Sequence, residues 1–216
     1  MPQFMITGSA QAGVRFLCAH GAGAGMETPF LKAVAGLLAQ RGVATYRFEF
    51  DYMAARKEGR RSPPPRAERL TDEYRAAVAA VPAGVALIVG GKSMGGRIAS
   101  LVADQLYAQG CIAGLACLGY PFHPPKKPEQ LRTAHLMGLA CPALIVQGER
   151  DPFGTRAEVE RYGLSQAISL HWVGDGDHDL GPRRGSSFTH KGNLAGAADA
   201  IATFAQRLAQ GQTAPP

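Results

Sequence analysis

Gly91-Lys92-Ser93-Met94-Gly95 sets a serine midway between two glycines at the end of the apolar run Val85-Ala86-Leu87-Ile88-Val89-Gly90. A serine on a sharp strand-to-helix turn needs small residues at those two places, because a neighbouring chain passes close to a strained backbone. Held this way, its hydroxyl can act as a nucleophile. The helix expected after it, through Ile98, Leu101 and Val102, would point its positive N-terminal end at any oxyanion formed there. Two plainer readings compete. Gly91-Lys92-Ser93 spells the end of a phosphate-binding loop, but the first glycine of that motif falls on Ala86, inside the apolar run. A Gly-rich turn with an idle serine is common in α/β proteins, so the partners of Ser93 must decide.

A serine hydroxyl is a weak nucleophile at neutral pH. It needs a histidine base, and that base needs an acid to fix its tautomer and steady the imidazolium. The apolar run 143–146 breaks into Gln147-Gly148-Glu149-Arg150-Asp151-Pro152-Phe153-Gly154, which puts Asp151 just past a buried strand. The run 168–173 ends in Gly174-Asp175-Gly176-Asp177-His178-Asp179-Leu180, which puts His178 in the equivalent loop one strand later. Serine, acid and histidine thus arrive in that order, in loops expected at one edge of a parallel sheet, where open α/β sheets place their sites. Glu149, Asp175, Asp177 and Asp179 are rival acids. Neighbours of a histidine in the chain usually point away from it, which favours the loop acid Asp151. The three aspartates around His178 do not make a calcium loop either: Leu180 stands where a glycine is needed and Ser186 where the glutamate belongs.

An oxyanion needs two backbone N–H donors, one after the nucleophile and one from the loop after an earlier strand. Met94 supplies the first. The run 14–19 opens into His20-Gly21-Ala22-Gly23-Ala24-Gly25, and Ala22 is the candidate for the second. Met26 stands where a dinucleotide loop would carry its third glycine, and His20 reads as a brace for the loop rather than a second base. The expected chemistry is therefore nucleophilic attack by Ser93, with His178 as base, Asp151 orienting it, and the Ala22 and Met94 amides holding the oxyanion. His123, Arg132 and His135 are further candidates for contact with substrate.

Those residues must be positioned by a scaffold. Apolar runs near 14–19, 43–50, 85–90, 114–119, 143–146 and 168–173 alternate with helical patterns near 28–41, 66–80, 94–109, 154–163 and 193–209. This alternation argues for an α/β fold with a mostly parallel sheet covered by helices on both faces. A chain of 216 residues, 46% hydrophobic, suits one domain over 1–210, with 211–216 as a disordered tail. The segment 120–139, with Pro121, Pro124, Pro125 and Pro128, is a stiff lid too short for a cap domain, with a short helix expected through Glu129, Leu131 and Leu136. The segment 51–69 reads as a loop because Pro63-Pro64-Pro65 blocks both helix and central strand. It carries Arg56, Lys57, Arg60, Arg61, Arg66 and Arg69, and so much of the net charge of +6.

Together, His20-Gly21-Ala22-Gly23, the run Gly91 to Arg97, Gly119-Tyr120-Pro121-Phe122-His123-Pro124, the run Gln147 to Gly154, and Gly176-Asp177-His178-Asp179-Leu180 resemble the α/β-hydrolase superfamily. Within it the chain is similar to a small hydrolase-like family related at a distance to dienelactone hydrolases, which includes a subunit of an animal histone acetyltransferase complex. The resemblance implies a single-domain, three-layer α/β-hydrolase fold and a triad at Ser93, His178 and Asp151. It implies no particular substrate. The expected function is hydrolysis of a small-molecule ester or thioester through an acyl-enzyme, without cofactor or metal. The alternative is a non-catalytic interaction module that uses the basic segment or the lid.

Other classes are disfavoured. The basic segment reads first as a solvated charge run and otherwise as a patch that steers an anionic substrate; it has no interleaved aromatic residues for stacking on bases, so nucleic acid is not the expected partner. No run approaches the roughly 20 apolar residues of a membrane span. Residues 1–6 lack a basic and apolar leader, and the expected location is cytoplasmic. Cys18, Cys111, Cys117 and Cys141 form no C-x-x-C pair and read as small buried thiols.

Overall fold

The computed structural model describes residues 2–60 and 63–211. Its sheet has seven strands: β1 (Met5–Thr7), β2 (Val14–Ala19), β3 (Val43–Phe48), β4 (Ala86–Lys92), β5 (Gly114–Leu118), β6 (Ala143–Gly148) and β7 (Ile168–Val173). They lie in the order β1-β3-β2-β4-β5-β6-β7. Only β1 is antiparallel to its neighbour; the other pairings are parallel. The α-helices are α1 (Pro29–Ala39), α2 (Asp51–Lys57), α3 (Thr71–Ala80), α4 (Met94–Ala108), α5 (Arg156–Val159) and α6 (His190–Ala209).

Strand alternation creates two separate cores, because successive side chains point to opposite faces. Val14, Phe16 and Cys18 of β2, Ile88 of β4, and Leu144 and Val146 of β6 pack on Leu31, Val34 and Leu38 of α1 and on Leu194, Ala197 and Ile201 of α6. Leu17, Leu87, Val89, Leu115 and Ile145 face the other way, onto Tyr74, Ala77 and Val78 of α3 and Ile98, Ala99 and Val102 of α4. A sheet buried on both faces explains why its strands read as continuous apolar runs. This is the single-domain, three-layer architecture expected, with no large cap.

Local departures from the expectations have local causes. β1 is three residues long with Ile6 exposed, so it carries no apolar run to read. The segment expected as the loop 51–69 opens instead with α2. Tyr52 and Met53 are buried on that helix, and its first N–H, of Asp51, donates to Glu73 at 2.8 Å. A 3-10 turn, Ala67–Arg69, leads into α3, while Arg61 and Ser62 lie outside the described residues. Helix α6 starts three residues earlier than expected because the Thr189 hydroxyl caps it, accepting from the Gly192 N–H at 3.0 Å. In the segment 120–139 only Ala134–Leu136 is helical, as a 3-10 turn, and Tyr120, Phe122, Leu136 and Leu139 bury it against the domain. Cys18, Cys117 and Cys141 are buried free thiols, but Cys111, in the turn after α4, is exposed. Of the expected tail, 212–216 lie outside the described residues. Among the described residues no helix is long and apolar enough to cross a membrane.

Candidate active site

The β4-to-α4 turn is built by close approach. A Cβ on Gly91 would lie 2.4 Å from the Ala19 carbonyl oxygen, and one on Gly95 would lie 2.6 Å from the Ala19 and His20 carbonyl oxygens. Between them Ser93 adopts φ +52°, a conformation that non-glycine residues rarely take. The Tyr74 hydroxyl, fully buried under the sheet, accepts from the Gly90 N–H at 2.8 Å and steadies the strand just before the turn.

The parallel strands deliver Asp151 and His178 to the same edge. His178 Nε2 lies 3.0 Å from Ser93 Oγ, and His178 Nδ1 lies 2.8 Å from Asp151 Oδ2. Asp151 is fully buried, and its remaining lone pairs are taken by donors: the Phe153 N–H gives to Oδ1 at 2.9 Å and the Gln147 amide to Oδ2 at 3.0 Å. A carboxylate so surrounded accepts from Nδ1–H, which leaves Nε2 unprotonated and facing the serine. Gln147 is itself fixed, since its Oε1 accepts from the Tyr120 N–H at 2.7 Å.

The rival acids are engaged elsewhere. Glu149 accepts from the Asp175 N–H and pairs with Arg156. Asp175 pairs with Arg150 at 2.7 Å and Arg183 at 2.8 Å, and the Arg183 N–H in particular holds its carboxyl below the usual range. Asp177 accepts from the Asp179 and Gly181 N–H groups and so folds the turn that carries His178.

Lys92 is a residue the sequence reading passed over. Its side chain is buried, its Nζ donates to the His178 carbonyl at 2.7 Å, and it pairs with Asp179 at 3.2 Å. Burial pushes its ammonium below the ordinary lysine value, and Asp179 pulls the other way. The available signal was a charged residue closing an otherwise apolar central strand.

Ala22 and Met94 line the same cleft as Ser93. The loop carrying Ala22 is braced by His20, as expected. His20 Nδ1 contacts the Gly21 carbonyl at 2.7 Å and Nε2 accepts from the Phe50 N–H at 3.2 Å. This pairing requires a neutral ring, and burial lowers the His20 pKa, as it also does for His135 and His171. The unfolded chain takes up protons below about pH 6.5 while the folded chain resists them. Stability is therefore complete above that value and is lost as pH falls below it. The urea midpoint is expected to drop between pH 7.5 and 5.5, and His20→Gln should flatten that dependence; an unchanged midpoint would contradict the neutral, buried rings.

Two clefts open on Ser93. One, of about 560 Å³, is lined by Pro29, Phe30 and Leu31 and reached by His178. The other, of about 770 Å³, is lined by Arg66, Arg69, Arg97 and Arg132. Ala22, Ser93 and Phe153 form the ridge between them. Arg132 is thus brought to the site. His123 is not: it is buried, with Nδ1 at 2.9 Å from the Pro124 carbonyl and Nε2 at 3.5 Å from Glu158. His135 lies behind α4, with Nε2 at 2.8 Å from Ser100 Oγ.

Residues 12–206 match the model of a family described as an alpha/beta hydrolase domain. The chain belongs to that family. The fold of this α/β hydrolase is shared by solved structures of low identity. One is an alpha-beta serine hydrolase homologue from Coxiella burnetii, with TM-score 0.70, 18% identity, and coverage of 93% of this chain and 89% of that one. Another is an α/β serine hydrolase without lid from Xanthomonas campestris, with TM-score 0.69, 17% identity and coverage of 100% and 96%. The dienelactone hydrolase of Anabaena variabilis matches with TM-score 0.66, 17% identity and coverage of 94% and 96%.

Proposed function

We propose that this α/β hydrolase is a serine hydrolase that cleaves an ester or thioester through an acyl-enzyme. The observation that carries the reading is the unbroken chain from Ser93 Oγ through both ring nitrogens of His178 to the buried Asp151. His178 takes the Ser93 proton as Oγ attacks the carbonyl carbon, and the Ala22 and Met94 amides receive the oxyanion. As the intermediate collapses, His178 gives that proton to the leaving oxygen or sulfur. Water, deprotonated by His178, then releases the acyl group and restores the serine. Esters and thioesters are favoured because their leaving groups depart more easily than an amine.

A fluorophosphonate probe tests this, since it phosphonylates an activated serine. The wild type is expected to be labelled on the peptide containing Ser93, with Ser93→Ala and His178→Ala unlabelled. A folded wild type that stays unlabelled would overturn the reading. It would favour the alternative of a non-catalytic module like the histone acetyltransferase subunit of the resemblance, although a module gives no reason to bury a carboxylate against His178.

A further inference from the structure

The two clefts differ in a way that assigns the halves of a substrate, given the serine hydrolase reading on which this inference rests. His178 lines the cleft of Pro29, Phe30 and Leu31, whose charged residues Lys92 and Asp179 are paired with each other and leave its wall largely apolar, and is absent from the walls of the other. The leaving atom must come within hydrogen-bond reach, about 3 Å, of Nε2 to receive its proton. The leaving group therefore lies in the apolar cleft. The acyl substituent, on the opposite side of the carbonyl carbon, crosses the ridge of Ala22, Ser93 and Phe153 into the cleft lined by the four arginines.

That second cleft is built to receive negative charge. Against Arg66, Arg69, Arg97 and Arg132 it offers one carboxylate, Glu68, which is already paired with Arg97. The Arg132 guanidinium takes no hydrogen-bond or ion-pair partner among the described residues. Burial, and then the neighbouring Arg97 charge, lower its pKa from the ordinary arginine value, so the pair of cations is held at a cost that an anion between them would relieve. Guanidinium groups bind carboxylate and phosphate through paired, directional hydrogen bonds.

We infer that the acyl half of the substrate carries an anionic group, a carboxylate or phosphate, bound in the arginine cleft with Arg132 as its principal contact, and that the leaving group is an apolar alcohol or thiol. In the first step the bond from Ser93 Oγ to the carbonyl carbon forms, the bond to the leaving oxygen or sulfur breaks, and the serine proton passes through His178 to the departing atom. Water then supplies the hydroxyl of the released acid as the acyl bond to Ser93 Oγ breaks, and its other proton returns through His178 to Oγ.

Three aromatic esters separate the possibilities: the 4-nitrophenyl monoester of adipic acid, with the charge on the acyl side; 4-nitrophenyl hexanoate, uncharged; and 4-sulfophenyl hexanoate, with the charge on the leaving side. The adipate monoester is expected to exceed the hexanoate in kcat/KM by about 10- to 100-fold. Arg132→Gln should erase that advantage, costing the adipate monoester about 10- to 100-fold more than it costs 4-nitrophenyl hexanoate, and Arg132→Lys should restore part of it. A preference for the sulfophenyl ester, or an equal loss on both 4-nitrophenyl esters in Arg132→Gln, would overturn the assignment. A second readout needs no chemistry: adipate should raise the melting temperature of Ser93→Ala, and not that of Ser93→Ala combined with Arg132→Gln. Labelling of Ser93 with no adipate-dependent shift would remove the anion site and leave the hydrolase reading intact. An Arg132-dependent shift in a protein that resists labelling would do the reverse.

Discussion

Asp151→Asn is expected to fold normally and to lose about four orders of magnitude in kcat on an uncharged ester. The asparagine side chain occupies the same space: its oxygen, turned to the Phe153 N–H, keeps that contact, while its NH₂ replaces Oδ2 and gives up the bond from Gln147, whose amide retains the Tyr120 and Gly154 carbonyls as acceptors. What changes is the side chain's effect on the histidine. An amide NH₂ facing Nδ1 makes that nitrogen an acceptor and moves the ring proton to Nε2, where it points at Ser93 and can take nothing from it. It also removes the negative charge that steadies the imidazolium. Steady-state kinetics beside a circular dichroism spectrum would check both halves. A loss of less than about tenfold would mean that Asp151 does not orient the base, since a residual rate that high exceeds what binding and an oxyanion hole alone supply.

Gly91→Ala is expected to lose about 2–6 kcal/mol of stability, a sum of about 1–3 for overpacking and about 1–3 for a left-handed backbone. At φ +155° the new methyl group would stand 2.4 Å from the Ala19 carbonyl oxygen and 2.9 Å from the Ala19 nitrogen. Both obstacles are backbone of β2, paired with β4 at this position, so no side-chain rotation relieves them. Typical domains hold only about 5–15 kcal/mol, so the variant should unfold at markedly lower urea. Any folded fraction should be slow, because displacing the elbow by about 1 Å spoils attack geometry by about two orders of magnitude. Gly36→Ala in α1 is the control: a methyl group there meets nothing within 4 Å, and a helix interior gains up to about 1 kcal/mol from the exchange. Equal urea midpoints for the two variants would refute the close-approach account.

The meeting of Ser93, Asp151 and His178 was legible because each requirement is local. A glycine pair marks the turn, and two apolar runs ending in polar loops mark neighbouring strand ends. Which acid faces the histidine was decided by the same rule, and the structure engages Glu149, Asp175, Asp177 and Asp179 elsewhere. Lys92 was not legible as a contact of His178, since its partner lies 86 residues away and nothing near Lys92 announces it. His123, Arg132 and His135 show the other limit. They share one short segment and similar side-chain chemistry, but only Arg132 faces the cleft, because the burial of Phe122 and Leu136 turns the two histidines away. Helix α2 escaped notice for a related reason. Its basic residues looked like a solvated run, and the apolar contacts of Tyr52 and Met53 that fix it come from distant parts of the chain.

The grip of Lys92 on the His178 carbonyl fastens the proposed base and nucleophile to the same piece of chain, since Lys92 and Ser93 are consecutive residues. Small shifts of the loop edge then carry the imidazole and the hydroxyl together, like two teeth on one key. In the proposed mechanism the separation between them is then held by the fold itself, at a distance of 3.0 Å that already suits proton transfer.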